Sequence, residues 1–254
     1  MFKKTLATAL VAFVTLGSAV TTATAQTQTT YRAGSTPTGV PFTFLDTKTN
    51  SIQGVMVDLS QSIAKDLGIA IDIQGMPFST LIPSLTSNKI DLIVAALGMT
   101  PARQEVVDFT EPVYSYGEGM VVNAEDKGDF SNLENLRGQI VGVQVGTVYV
   151  DPLKNTGLFK EVKVYDSLGD VIRDVSLGRI KAGFGDYPIV AYQIGQGVHK
   201  GVRLVKEHKP VVNVNIGMAV RKGDQEKLGK VNASLKKLKA DGTVDTILRK
   251  WGLK

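Results

Sequence analysis

The stretch Lys89-Ile90-Asp91-Leu92-Ile93-Val94-Ala95-Ala96-Leu97-Gly98-Met99-Thr100-Pro101-Ala102-Arg103 decides the fold. Residues 90–97 read as a strand of the kind buried on both faces, which is typical of parallel sheets covered by helices. Thr100 and Pro101 then open a helix, as a capping hydroxyl followed by proline at the first helical position. Arg103 falls in that helix's first turn, where the macrodipole disfavours a cation. An arginine beside free N–H groups at a helix start suits a carboxylate, which guanidinium binds with two prongs. The small residues Ala95, Ala96 and Gly98 let a ligand approach the backbone at the strand's carboxyl end, where open α/β sheets bind. The alternative is an ion pair of Arg103 with Glu105 or Asp108 on the surface. These residues alone leave the two readings even.

The same grammar extends outward in both directions. Residues 58–67 read as a helix stopped by Gly68, residues 69–73 as a strand and residues 78–88 as a helix. Further on, 139–145, 162–165 and 181–185 read as strands, with helices at 167–177 and 188–194. A strand at 217–221 precedes helices at 224–240 and 243–250. Alternation of this kind is α/β with a largely parallel sheet. Two strands, 119–123 and 214–220, divide the chain into thirds. Gly195, Gly197 and Gly201 mark a loop. Asn232-Ala233-Ser234 fits a glycosylation acceptor but falls inside a helix, so it is read as coincidence.

Residues 1–25 have the parts of a cleavable secretory signal: Lys3 and Lys4, an apolar stretch, then Ala23-Thr24-Ala25 before Gln26. That stretch is too short to span a membrane, and the chain has no cysteine to carry a lipid anchor. The net charge of +5 falls to +3 without Lys3 and Lys4. Lys236, Lys237, Lys239, Arg249 and Lys250 read as solvated helix faces, so no nucleic-acid partner is expected. With no cysteine and two histidines, His199 and His208, no cofactor and no metal are expected. Nucleophile elbows, zinc-protease helices and phosphate loops have no match in the sequence.

Several motifs together carry a resemblance. They are Pro41-Phe42-Thr43-Phe44, Gly54-Val55-Met56-Val57-Asp58-Leu59, Leu81-Ile82-Pro83-Ser84-Leu85, Met99-Thr100-Pro101-Ala102-Arg103 and Val107-Asp108-Phe109-Thr110-Glu111-Pro112. Val141-Gly142-Val143-Gln144-Val145-Gly146-Thr147 follows, then Lys239-Ala240-Asp241-Gly242-Thr243 with Trp251. In this order the chain resembles the polar amino-acid-binding proteins of bacterial ABC importers, a family with histidine-, glutamine- and arginine-binding members.

The resemblance implies a type II periplasmic binding protein fold: two α/β lobes, 27–119 plus 217–254 and 120–216, joined by two crossing hinge strands. It implies a monomeric periplasmic receptor that closes around a zwitterionic amino acid or derivative and docks on a membrane permease, without being embedded in the membrane itself. Arg103 then holds the α-carboxylate with backbone N–H groups near Ala96, Gly98, Thr147 and Val148, while Asp186 takes the α-ammonium. Phe78 forms a wall and Gln144 reaches the ligand side chain; core packing and a turn carboxylate are the plainer readings of Phe78 and Asp186.

Thr36 and Gly39 stand where the family often has an acid or amide and an aromatic ring. Gly98 replaces a hydroxyl residue, and Met56 an acidic one. These departures suggest a wider pocket and a ligand bulkier than a simple amino acid, or one with a substituted nitrogen. Glu118 is read as an exposed hinge residue, with contact to a cationic ligand group as the other possibility. The competing function is an enzyme on the same scaffold, such as a cyclohexadienyl (prephenate/arogenate) dehydratase. A sensor input domain is disfavoured by the chain's ending just after Trp251.

Overall fold

The computed structural model describes residues 28–254, so the expected leader at 1–25 lies outside the described residues. The chain begins with β1 (Thr30–Ser35) and a small three-stranded sheet of β2 (Thr38–Gly39), β3 (Thr43–Asp46) and β4 (Ser51–Gln53). Next come α1 (Val55–Leu67), β5 (Ala70–Gly75), α2 (Leu81–Thr86), β6 (Leu92–Gly98), α3 (Pro101–Val106), β7 (Val107–Phe109) and β8 (Tyr114–Asn123). The middle of the chain supplies β9 (Ile140–Gln144), α4 (Val150–Asn155), β10 (Glu161–Tyr165), α5 (Leu168–Ser176), β11 (Ala182–Asp186), α6 (Tyr187–Gly195) and β12 (Val202–Leu204). It ends with β13 (Asn213–Arg221), α7 (Gln225–Ala240) and α8 (Thr243–Lys250).

One ten-stranded sheet runs in the order β10-β9-β11-β8-β13-β6-β1-β5, with β12 beside β8 and β7 beside β13. Its two ends repeat one topology. In each, the first strand lies between the second and third in parallel (β1 between β5 and β6, β9 between β10 and β11), and an antiparallel strand closes the group. The closing strands β8 and β13 pair with each other from Tyr114–Gly117 to Asn213–Ile216, which is where the chain crosses between halves. Both are longer than the sequence suggests, because their pairing at the seam relies on backbone hydrogen bonds rather than on an apolar run.

β6 is buried along its whole length. Its side chains alternate: Leu92, Val94 and Ala96 join the core under α1 and α7, while Ile93, Ala95 and Leu97 pack with Leu81 and Leu85 of α2. The other half packs Met120, Val122, Val141, Val143, Tyr149 and Phe184 together. α1 starts earlier than expected, after Gly54, and ends as expected at Gly68, whose φ of 66° is the left-handed conformation that favours glycine. The helix expected at 78–88 is instead a 3-10 turn at Phe78–Thr80 followed by the short α2, and Asn88 has a φ of 62°. Pro83 in the first turn and the reversal at Asn88 limit the helix to one and a half turns.

Lys230, Lys236, Lys237 and Lys239 of α7 are exposed. Lys237 pairs with Asp66 and Lys239 with Glu111. Asn232 accepts a hydrogen bond from the Glu111 N–H at 2.8 Å within α7, in keeping with a structural role for that triplet. Among the described residues, no helix is long and apolar enough to cross a membrane.

Candidate functional site

Thr36 follows β1, Ala96 and Gly98 end β6, Gln144 ends β9, and Asp186 ends β11. Each sits at the carboxyl end of a parallel strand. In each half the strand order reverses around the first strand, and such switch points leave a crevice for ligands. The two crevices face one another. One cavity is lined by Thr36, Phe78, Ala96, Gly98, Arg103, Gln144, Thr147, Val148 and Asp186, so all nine candidates come together.

Arg103 is placed by its helix start. The Thr100 hydroxyl accepts from the Arg103 N–H at 3.2 Å, with Pro101 at the first helical position. Its guanidinium donates from Nη1 to the Gly98 carbonyl at 2.6 Å and from Nη2 across the cleft to the Gly146 carbonyl at 2.7 Å. Gly146 presents that carbonyl with a φ of 75°, a conformation that glycine adopts without strain. The Phe78 ring centroid lies 5.7 Å from the Arg103 guanidinium carbon, so Phe78 is both a cavity wall and a partner to the core of α2. The surface ion pair does not form: Asp108 pairs with Lys222 instead.

Asp186 stands just before α6, yet its side chain makes no capping bond. Its carboxylate turns into the cleft, where the Tyr149 hydroxyl donates to Oδ1 at 2.7 Å and the Tyr116 hydroxyl lies nearby. Burial pushes the Asp186 pKa up to about 6, against the two tyrosines and the Arg103 charge, which favour ionisation. Burial raises both tyrosine hydroxyls far above their ordinary range, with Asp186 adding to the effect, so both remain donors. Desolvation lowers the Arg103 pKa while Asp186 opposes it; a guanidinium remains charged regardless.

A raised carboxyl pKa has a stability consequence. The Asp186 contribution is fully present below its ordinary 3.8 and is lost as pH rises through about 6. At neutral pH its ionisation costs the ligand-free fold about 3 kcal/mol. Asp186→Asn is therefore expected to stabilise that state by up to about 3 kcal/mol at pH 7 and by little near pH 4, read from urea midpoints. An unchanged or lower midpoint at pH 7 contradicts burial as the source of the shift.

The remaining polar wall is hydroxyl-rich. Thr36 and Thr43 hydroxyls lie 2.7 Å apart and are buried, and the Thr147 hydroxyl donates to the Gln144 carbonyl at 2.9 Å. Gln144 Nε2 donates to the Asp166 carbonyl at 3.2 Å. The space left by the missing ring at Gly39 is not open: an ideal Cβ there would lie 3.4 Å from Ile189 Cδ1 of the opposite half. At Gly98 a Cβ would meet Val148 Cγ1 at 3.0 Å and Val214 Cγ2 at 2.8 Å, so glycine permits the halves to approach. Their approach leaves a cavity of about 40 Å³, room for a few water molecules. Met56 is fully buried in the core and does not line the cavity.

Sequence reasoning missed Tyr116, Tyr149, Leu168, Ile189 and Val214. Tyr116 was legible only as one of two alternating tyrosines on a strand, and Tyr149 as the neighbour of Val148. Glu118 is neither exposed nor in the cavity. It is 1% exposed and its carboxylate accepts from His208 Nε2 at 3.1 Å and from the N–H groups of Val211 and Val212 at 2.5 and 3.1 Å.

The family model for bacterial extracellular solute-binding proteins, family 3, matches residues 31–254. The chain belongs to this family. This family 3 protein is 31% identical over 212 residues to a putative ABC transporter arginine-binding protein 2 of Escherichia coli (strain K12), covering 83% of this chain and 86% of that one. It is 31% identical over 220 residues to an arginine-binding periplasmic protein of Mannheimia haemolytica, covering 85% and 88%. Its structure is similar to that of an ancestral arginine-binding protein, solved bound to glutamine and bound to arginine, with TM-score 0.81 and 33% identity over 89% of this chain and 99% of that one. An ancestral amino acid-binding protein described as a precursor of cyclohexadienyl dehydratase matches with TM-score 0.78 and 29% identity, over 87% and 95% of the two chains. The fold is accordingly that of a type II periplasmic binding protein, with two α/β lobes joined by β8 and β13.

Proposed function

We propose that this solute-binding protein captures an amino acid or amino-acid derivative as its zwitterion and delivers it to the permease of an ABC importer. The observation that carries the reading is the opposition of Arg103 and Asp186 across one cavity, each from a different half. A ligand α-carboxylate replaces the Gly98 and Gly146 carbonyls on Arg103, and its α-ammonium meets Asp186. Neither charge is satisfied by a ligand in one half alone, so binding favours closure. The lobes that close are 27–119 plus 217–254 and 120–216, and β8 and β13 absorb the hinge motion. Relatives named as arginine-binding proteins of ABC transporters, and one named as periplasmic, support a periplasmic receptor working beside a membrane permease.

Binding rather than catalysis is the reading we favour. Among the described residues lining the cavity, Asp186 is the only carboxylic acid, and an acid committed to an ammonium is not free to donate a proton to a leaving group. Calorimetric titration of the purified protein with the L-amino acids tests the proposal: at least one binds and none is consumed. Turnover of a bound ligand, or no binding by any of them, contradicts it.

The ammonium contact also sets a pH dependence. Asp186 must be ionised to hold a cation, and in the ligand-free protein its pKa stands at about 6. Affinity at pH 5 is expected to be about tenfold weaker than at pH 7.5. Asp186→Asn should bind weakly and without this pH dependence. An affinity constant from pH 5 to 7.5 removes Asp186 from the ammonium role.

A further inference from the structure

The charges of the cavity balance before any ligand arrives. Among the described residues that line it, Arg103 is the one permanent cation and Asp186 the one carboxylate. Tyr116, the other ionisable group on the wall, is a buried, neutral hydroxyl. If the α-carboxylate takes Arg103 and the α-ammonium takes Asp186, no lining charge is left for a side chain. What remains is apolar wall from Phe78, Leu168 and Ile189 and a polar corner of Thr36, Thr43 and Gln144. Thr36 and Thr43 share one hydrogen bond at 2.7 Å, in which one hydroxyl donates and the other keeps its own proton free. A corner with a spare O–H and an amide matches a hydroxyl or carboxamide, not a full charge.

We infer that the site selects amino acids with uncharged side chains, polar ones foremost, and discriminates against arginine, lysine and glutamate. This rests on the zwitterion reading above, and it separates this chain from the relatives named for arginine. A charge left without a counter-ion inside a closed cleft must be desolvated with nothing in return. The neighbouring groove, which shares Thr38, Phe78 and Gln144 with the cavity, offers a long cationic side chain Asp72 and Asp166. Both of those acids are exposed, and a solvent-screened pair there returns little of the cost.

The test holds size constant and varies charge. Calorimetric titration at pH 7.5 compares citrulline with arginine and glutamine with glutamate, beside the full set of L-amino acids. The expected result is that the tightest ligand has a neutral side chain and that the neutral member of each pair binds at least about tenfold better. A tightest ligand that is arginine, lysine, aspartate or glutamate overturns the inference and leaves the zwitterion reading standing. No binding by any amino acid removes that reading and the inference with it. Gln144→Glu supplies the missing counter-charge and should narrow the citrulline-to-arginine ratio or reverse it. An unchanged ratio in that variant shows that the absent charge is not the cause of the preference and likewise overturns the inference.

Discussion

Arg103→Ala is expected to weaken binding of any α-carboxylate ligand by about 10²- to 10⁴-fold, because two charge-assisted hydrogen bonds of about 1.5–3 kcal/mol each are lost. Nη1 and Nη2 already point at carbonyl oxygens 2.6 and 2.7 Å away, so the fork is aimed and its rotamer fixed before a ligand enters. Prepaid orientation of this kind is what makes the loss large. The Gly98 and Gly146 carbonyls released by the truncation border the cleft and can be hydrated, so the ligand-free melting temperature should move little. Arg103→Lys should recover only part of the affinity, since an ammonium is a point charge and cannot match a carboxylate with two parallel donors. Retention of wild-type affinity within about threefold in the alanine variant would remove Arg103 from the site.

Glu118→Ala is expected to be the most destabilising single change at the hinge, by about 3–5 kcal/mol. Glu118 lies on β8, and its carboxylate holds the segment that leads into β13, through Val211 N–H, Val212 N–H and His208 Nε2. Both side chains of the Glu118–His208 pair are nearly inaccessible, at 1% and 3% exposure, so water cannot replace the lost partner. The N–H groups of Val211 and Val212 and the buried His208 imidazole would lose their shared acceptor. For a domain of this size the melting temperature should fall by about 6–20 °C. Glu118→Gln keeps one acceptor oxygen but turns an amide donor toward the same N–H groups, so it should recover only part of the loss. A shift below about 1 kcal/mol for the alanine variant would show that the 208–212 segment is held by other contacts.

What was legible in the sequence follows the range of the forces involved. β6, α3 and the Thr100 cap were readable because a two-faced apolar run, a capping hydroxyl and a proline act within a few residues of each other. The nine site candidates could be located because they sit at strand ends and in motifs that the family resemblance supplied. β1, α4, β12 and the three-stranded sheet were not legible: they are short or mixed in composition, and backbone pairing across the fold defines the strands among them. The helix expected at 78–88 was over-read because Phe78 extends the apolar spacing of Leu81, Ile82 and Leu85 back into a 3-10 turn, and that spacing carries no mark of the reversal at Asn88. Glu118 was misplaced because its partners lie 90 to 94 residues away, and nothing near it signals burial. The expected widening at Gly39 failed for a similar reason, since Ile189 reaches that space from the other half.

The α-group requirement tests the central claim most directly. Calorimetric titration of the protein with its best amino-acid ligand, that ligand's α-methyl ester and its des-amino analogue removes one clamp contact at a time. A two-ended clamp between Arg103 and Asp186 predicts that each analogue binds about 100-fold or more weakly than the parent. If either analogue binds within about tenfold of the parent, the corresponding half of the clamp does not hold the ligand and the account is contradicted.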